Sequence, residues 1–307
     1  MSIEWGLQAN LASPVKWARF GALSKLCTSV LSTASPGILV ISLPRSGSSW
    51  VGEALGTAQN ALYLREPLSQ SDPKFHELGT VFQIDNEELD SRYRMLADRA
   101  FRGDPNFSPR VVRFPNQWNI RTRLKRQVVV KEVNPLACSW YARSYHPLIV
   151  FLIRHPAAVA LSWENHKWIG EDPGSWAANG RFQAEVTATA LEGLRHYGTC
   201  RVVSYEDLCL NPLSGFRQLY KFCGLTWNKN SEQFVASRIR GDDPTNEWAT
   251  SRKSSEMVNS WKQKVRPDCL EALRREYEKL KLPFYSESDP TSADWQINEN
   301  LKQLANY

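Results

Sequence analysis

Residues 38–50 read Ile38-Leu39-Val40-Ile41-Ser42-Leu43-Pro44-Arg45-Ser46-Gly47-Ser48-Ser49-Trp50. Four consecutive apolar residues without polar alternation mark a strand covered on both faces, as in a parallel sheet. A short loop with one glycine follows, and then Trp50, Val51, Ala54, Leu55 and Ala58 recur at helical spacing. A strand turning tightly into a helix leaves backbone N–H groups free and aims the positive end of the helix dipole at whatever docks there. Gly47 permits close backbone approach, Ser48 and Ser49 add hydroxyl donors, and Arg45 adds a forked cation. The ligand these groups suit is an anion with phosphate-like oxygens. The loop is not a Walker A motif: GxxxxGK[ST] is absent, and with it the lysine and hydroxyl that serve nucleotide phosphates and magnesium.

Working outward, Ala61–Leu64, Val128-Val129-Val130, Leu148–Ile153 and Arg201-Val202-Val203 read as further strands. Between and after them lie helical patterns. One runs from Ala157 to Trp168 with Pro156 at its start; another opens at Asn211-Pro212 and carries Phe216, Leu219, Tyr220 and Phe222. Asp268 and Glu271 form an expected capping box ahead of Leu270, Leu273, Tyr277 and Leu280. Strand and helix in alternation predict an α/β fold: a doubly wound, mainly parallel central sheet, P-loop-like in its arrangement and flanked by helices. Residues 66–126 and 225–260 are polar or irregular and are expected to form loop and helix lids over the strand ends.

Ser13-Pro14 opens a helix in which Val15, Ala18, Ala22, Leu23, Leu26 and Val30 share a stripe that leaves Lys16 and Lys25 outside. The expected division is an N-terminal helical extension, 1–36, and a single domain, 37–307, with Pro36-Gly37 as the turn between them. The stripe either packs on the domain or makes a peripheral membrane contact through residues 14–31. Pro36 and Gly37 interrupt the uncharged run from Leu26 to Pro44, and Lys16, Arg19 and Lys25 interrupt any leader core, so no transmembrane segment is expected and the expected location is cytoplasmic.

A chain of 307 residues buries roughly three quarters of its unfolded surface, so its core needs no covalent staples. Hydrophobic residues at 42% against 23% charged exclude wholesale disorder. Cysteines 27, 138, 200, 209, 223 and 269 contain no CxxC pair, which excludes zinc-ribbon, dithiol and haem-attachment readings and leaves reduced core thiols. The net charge of +6 accords with a polyanionic ligand, and nothing in its distribution calls for nucleic acid. No metal-binding acidic constellation accompanies the anion loop, so no metal is expected. Trp118, Trp140, Trp163, Trp168 and Trp176 fall in segments expected around an acceptor cleft, where broad aromatic planes suit sugar faces and acyl chains alike; the other reading is core packing.

A second strand end matters as much as the first. Arg154-His155-Pro156 follows the Leu148–Ile153 strand, and Ser162 lies about 9 Å further along the ensuing helix. An arginine and a serine so spaced grip a second phosphate of the same ligand.

These segments resemble those of sulfotransferases that use 3′-phosphoadenosine-5′-phosphosulfate (PAPS), in the carbohydrate-like and bacterial branch. Pro44-Arg45-Ser46-Gly47-Ser48-Ser49-Trp50 looks like the family's 5′-phosphosulfate loop, and Arg154 with Ser162 is similar to its 3′-phosphate segment. Leu64-Arg65-Glu66-Pro67, Val130-Lys131-Glu132, Ser204-Tyr205-Glu206-Asp207-Leu208, Thr250-Ser251-Arg252-Lys253 and Trp261-Lys262 resemble later family segments in the same order. Three departures stand out. Arg45 replaces the lysine usual in cytosolic small-molecule sulfotransferases, His155 replaces an aspartate, and the cytosolic branch's catalytic histidine has no counterpart.

The resemblance implies metal-independent transfer of a sulfuryl group from PAPS to a sugar, lipid or natural-product hydroxyl, releasing 3′,5′-ADP. It places Arg45, Ser46, Gly47, Ser48, Ser49 and Trp50 around the phosphosulfate end, and Arg154, Ser162, Arg252 and Lys253 around the 3′-phosphate. Tyr205 lies along the adenine or fills the core. Glu66 is the expected base, its pKa raised by partial burial, with His76, Glu132 and His166 as alternates; Lys131 stabilises the leaving oxygen or pairs with Glu132. The seven Lys and Arg from Arg110 to Lys131 flank an anionic acceptor or face solvent. Two other readings stay open: a P-loop nucleotide kinase or NTPase, and a non-catalytic nucleotide-binding module of the same fold. Under the PAPS reading, Arg45→Ala and Arg154→Ala each weaken 3′,5′-ADP binding at least tenfold, about 1.4 kcal/mol, in titration calorimetry; parental affinity in both variants would remove the phosphate assignment.

Overall fold

The computed structural model describes residues 21–240 and 258–285. Five strands, β1 (Ala34–Ser42), β2 (Ala61–Arg65), β3 (Gln127–Glu132), β4 (Leu148–Ile153) and β5 (Cys200–Ser204), pair in parallel in the order β2-β3-β1-β4-β5. Ile38, Leu39, Val40 and Ile41 are fully buried, as an uninterrupted apolar run in a central strand requires. Ile41 registers against Glu132 on one side and Phe151 on the other, so the carboxyl ends of the three central strands are level. After β1 the chain winds toward β2, and after β4 toward β5. The crevice between the ends of β1 and β4 is therefore the topological switch point, where ligands of open α/β sheets bind.

The helices are α1 (Gly21–Val30), α2 (Ser48–Gly56), α3 (Pro73–Glu77), α4 (Glu87–Phe101), α5 (Cys138–Tyr145), α6 (Pro156–Asn165), α7 (Pro173–Leu194), α8 (Tyr205–Leu210), α9 (Pro212–Phe222), α10 (Lys229–Arg240) and α11 (Pro267–Tyr277). Strand alternation sorts them into two layers. Ile38, Val40, Tyr63, Val129 and Val150 pack with α2, α8 and α9, while Leu39, Ile41, Leu64, Val130 and Phe151 pack with α4 to α7 and α11. None of the helices among the described residues is long and apolar enough to cross a membrane. All six cysteines are free and buried.

Several expectations are corrected. Pro36 and Gly37 lie inside β1 rather than in a turn ahead of it. The register slips between Ala34 and Ile38, where proline has no N–H for the ladder. Within 66–126, α4 is a core helix rather than a lid: Asn86 Oδ1 caps it by accepting from Leu89 N at 2.9 Å, and Leu89, Tyr93, Leu96, Ala97 and Ala100 are buried. Its apolar stripe is hidden in sequence among eight charged residues, Glu87, Glu88, Asp90, Arg92, Arg94, Asp98, Arg99 and the capping Arg102. The capping box expected at Asp268 does not form, because Pro267 already occupies the first helical position and Asp268 Oδ1 accepts from Cys269 N at 2.9 Å. Of the predicted stripe, Ala22, Leu26 and Val30 face outward, the last two 60% and 68% exposed, and Cys27 is the buried contact, while Val15 and Ala18 lie outside the described residues. Trp118, Trp140 and Trp176 are buried in the core rather than arrayed around a cleft.

The longest helix, α7, packs against α11 with backbone approach so close that a Cβ on Gly180 would overlap the carbonyl oxygen of Leu273. Gly180→Ala is expected to destabilise the fold by about 1–3 kcal/mol through overpacking, read as a lowered midpoint in thermal denaturation; a higher midpoint, from the gain in helix propensity alone, would contradict it.

Candidate active site

Every central strand delivers a functional group to the level carboxyl edge. At β1 the chain turns through Arg45 (φ 72°) and Gly47 (φ 91°), both in the left-handed region that glycine tolerates and arginine does not favour. Gly47 is the N-cap of α2 and no side chain caps its first N–H groups. Directly beneath it lies Tyr205, whose ring would overlap any Cβ at position 47. Ser46 and Ser48 are buried, whereas Ser49 and Trp50 are half-buried; the indole N–H of Trp50 is buried without a hydrogen-bond partner.

At β4 the Arg154 side chain turns back toward this loop. Its Nη1 donates to the carbonyl oxygen of Arg45 at 2.8 Å, and its guanidinium lies 4.6 Å above the Tyr205 ring. Arg154 Nε is buried and has no hydrogen-bond partner. Arg45 Nε in turn donates to Ser162 Oγ on α6 at 2.9 Å. The two segments expected to bind phosphate thus meet in one crevice. Ser162 and Arg45, expected at separate phosphates, are hydrogen-bonded to each other.

Tyr205 edges Trp50 with ring centroids 5.9 Å apart, so one aromatic ring supports both the loop glycine and the β4 arginine. The next residue, Glu206, is a buried tie: its carboxylate accepts from His155 N at 3.0 Å, Ser204 Oγ at 3.2 Å and Tyr285 Oη at 2.6 Å. His155 caps α6 with its own ring, whose Nδ1 accepts from Ala157 N at 3.2 Å. Its ring stacks on Trp261 at 4.1 Å, docking the C-terminal segment beside Arg154.

The charge balance here favours an anion. Burial lowers the pKa of Arg45, and the Arg154 and Arg65 guanidinium groups lower it further, with Glu66 acting in the opposite sense. Orphaned buried donors on Arg154 and Trp50, uncapped N–H groups and a glycine cradle fit a ligand rich in phosphate-like oxygens.

Across the crevice, at the ends of β2 and β3, the Lys131 ammonium pairs with Glu66 Oε1, while Gln70 Nε2 donates to Oε2 at 2.8 Å. Lys131 therefore pairs with Glu66 and not with Glu132. Burial pushes the Glu66 carboxyl up, but the Lys131 charge, the Lys131 and Gln70 hydrogen bonds and Arg65 outweigh it and hold the group at about 2. The raised pKa expected of Glu66 is thereby corrected: a lysine that strand pairing places beside it was not legible as its partner from spacing. Gln70, one helical step beyond Glu66, escaped the sequence reading because amides there carry no motif.

Other expected residues lie elsewhere. Arg123 is buried at the opposite end of the sheet, donating to the carbonyls of Leu31 at 2.6 Å, Gly103 at 2.7 Å and Arg102. Arg126 donates to Ala61 O at 3.1 Å, also at the amino end of the strands, and Arg113 pairs with Glu53 at 3.6 Å. Arg113, Arg123 and Arg126 of the 110–131 basic run therefore brace the fold rather than flanking an acceptor. Trp163 Nε1 donates to Pro44 O at 3.1 Å, with the exposed Trp168 edging its ring at 5.7 Å. His166 Nδ1 lies 2.7 Å from Ser162 O. His76 is on α3, and Arg252 and Lys253 fall outside the described residues.

A family model described as "Sulfotransferase domain" matches residues 35–282. The chain belongs to the sulfotransferase family. This sulfotransferase is similar to carbohydrate sulfotransferase 1 of Danio rerio, 24% identical across 78% of this chain and 75% of that protein. It is also similar to carbohydrate sulfotransferase 5 of Mus musculus, 26% identical across 67% of this chain and 68% of that one. Among solved structures, the sulfotransferase domain of the Synechococcus PCC 7002 olefin synthase superposes with a TM-score of 0.48 and 17% identity, over 80% of this chain and 95% of that domain.

The Glu66 environment has a pH signature. Because its carboxyl lies at about 2 in the fold against 4.5 when unperturbed, ionisation of Glu66 stabilises the sulfotransferase fully above about pH 4.5, and that contribution is lost as pH falls toward 2. Glu66→Gln is expected to be less stable than the parent at neutral pH, with the gap closing across that window in denaturant titrations; a gap independent of pH would contradict the pairing.

Proposed function

We propose that this sulfotransferase moves a sulfuryl group from PAPS to a hydroxyl of a carbohydrate acceptor and releases 3′,5′-ADP. The observation that carries the reading is the meeting of Arg45 and Arg154 at the switch point, Arg154 over the Tyr205 ring, with buried donors of Arg154 and Trp50 left unpartnered there. Carbohydrate sulfotransferase relatives favour a sugar hydroxyl over a lipid or natural-product alcohol as the acceptor. The domain is read as one unit beginning with β1, with the helix-bearing segment ahead of it as an extension. The outward Leu26 and Val30 of α1 support a surface-contact role for residues 14–31.

In this reading Arg45, Ser46, Gly47, Ser48 and Ser49 hold the phosphosulfate end, and Arg154 with Ser162 holds the 3′-phosphate, joined there by Arg252 and Lys253. Trp50 lines the nucleotide, and Tyr205 supports it from below. PAPS, when bound, supplies the sulfuryl group and a phosphate leaving group. The chain's own part is positioning and charge. Lys131 Nζ places a positive charge where negative charge develops on the leaving oxygen. As that ammonium turns from Glu66 toward the developing charge, it relinquishes the strongest influence holding the Glu66 carboxyl down. Burial, which acts to raise the carboxyl's proton affinity, then dominates, and Glu66 Oε1 takes the acceptor's hydroxyl proton. Proton acceptance is thus timed to the departure of the leaving group.

Incubation with isotopically labelled PAPS and a panel of oligosaccharides, read by mass shift, tests the activity directly; transfer to lipid alcohols alone would overturn the acceptor assignment. Lys131→Ala is expected to lower kcat by about 100-fold, the scale of losing one electrostatic stabiliser, with 3′,5′-ADP affinity changed less than about threefold. Unchanged kcat would remove Lys131 from the mechanism.

A further inference from the structure

The last two residues of β3 grip the Glu66-bearing turn from opposite faces of the sheet. Successive strand side chains alternate in direction. Lys131 points toward α2, where its Cβ lies 3.1 Å from the position a Cβ would take on Gly52. Glu132 points to the other face, toward Tyr93 of α4 and Tyr141 of α5, and burial there pushes its carboxyl up to about 7 against the bonds it accepts from Ser69 and Leu68. It is fully buried and out of reach of any acceptor, which removes it as an alternate base. Both of its oxygens are engaged by the same turn: Oε1 accepts from Leu68 N at 2.7 Å, and Oε2 accepts from Ser69 Oγ at 2.6 Å.

The same turn is also held by Leu68, fully buried in the core, and by Ser71 N donating to Leu68 O at 3.1 Å. Glu66 N donates to Lys131 O at 2.6 Å, and Gln70 N donates to Glu66 O at 2.9 Å. Glu66 itself sits at φ 52°, a left-handed conformation that a residue with a Cβ keeps only when its surroundings impose it. Four attachments to the end of β3, the Lys131 carbonyl and ammonium on Glu66 and the Glu132 carboxyl on Leu68 and Ser69, supply that imposition. Two of the four come from the Glu132 carboxyl.

We propose that Glu132 is a positioning residue of the transfer reaction: its buried carboxylate staples the Leu68–Ser69 turn and so presents Glu66 Oε1 to Lys131 and the acceptor. The inference rests on the reading of Glu66 as proton acceptor and deepens it by naming what fixes that group in place. Replacing the Glu132 carboxyl with an amide keeps its shape but sets an NH2 group against one of the two donors.

The test compares Glu132→Gln, Ser69→Ala and Glu66→Gln, singly and with Glu132→Gln combined with Glu66→Gln, by kcat, KM for PAPS, 3′,5′-ADP affinity and thermal midpoint. Glu132→Gln is expected to lower kcat at least tenfold with KM for PAPS and 3′,5′-ADP affinity within about threefold of the parent, a split that simple loss of stability does not produce. In the Glu66→Gln background it is expected to cause no further loss, because both changes remove the same function. Ser69→Ala, which deletes one bond and leaves the carboxylate in place, is expected to lower kcat about threefold at an unchanged midpoint; it carries the test if Glu132→Gln does not fold. Parental kcat in Glu132→Gln, or in Ser69→Ala where that variant decides, overturns the proposal, as does a loss that multiplies with that of Glu66→Gln. Parental kcat in Glu66→Gln instead overturns the proton-acceptor reading, and the two failures are told apart by which single variant keeps its turnover.

Discussion

Arg154 reaches across the end of the sheet to hydrogen-bond the backbone of Arg45, and this contact between two like-charged residues governs the rest of the site. Two guanidinium groups in one partly buried crevice repel each other, and burial alone already disfavours the charge on Arg45. What holds them is a set of neutral partners: a carbonyl oxygen and the Tyr205 face for Arg154, and a hydroxyl for Arg45. A cation over an aromatic face contributes about 0.5–2 kcal/mol, enough to orient a side chain but not to neutralise it. Positive charge therefore remains unspent, and an anion bridging both arginines relieves it.

That arrangement needs the strand ends to be level and fixed. Parallel register sets the level, and Glu206 does much of the fixing. Its carboxylate ties the β4 tip at His155, the β5 tip at Ser204 and the C-terminal Tyr285 in one buried knot. Tyr205, its neighbour in sequence, fills the gap between the Gly47 loop and Arg154. A short stretch after one strand therefore sets the distance between the loops after two others. Glycine is required at position 47 for two separate reasons, the positive φ and the ring beneath it.

Opposite the arginines, strand pairing brings Arg65 into register with Lys131, and the next residue, Glu66, comes back over the lysine. The pair holds the Glu66 carboxyl well below its ordinary range. Glu132, one step along β3, fastens the turn on the far face. Adjacent residues of one strand thereby serve two faces of the same loop, which alternation along a strand allows and a helix would not.

By itself the sequence determined the strands of the sheet, the anion loop and the order of the family's segments. Buried parallel strands read as unbroken apolar runs, and a glycine-bearing turn into a helix has few alternatives. Elements whose apolar face is diluted by charge, such as α4, were not legible, because their stability comes from the neighbours they pack on rather than from local pattern. Only the tertiary structure decided which charges meet. Lys131 lies 65 positions from Glu66, and Arg154 lies 109 from Arg45, so spacing along the chain carries no record of either contact. Burial, strand register and pKa are properties of the assembled sheet; they turned a carboxylate expected to sit near neutrality into one held at about 2, and set Arg123 and Arg126, from a run read as either acceptor-flanking or solvent-facing, as braces at the amino ends of the strands.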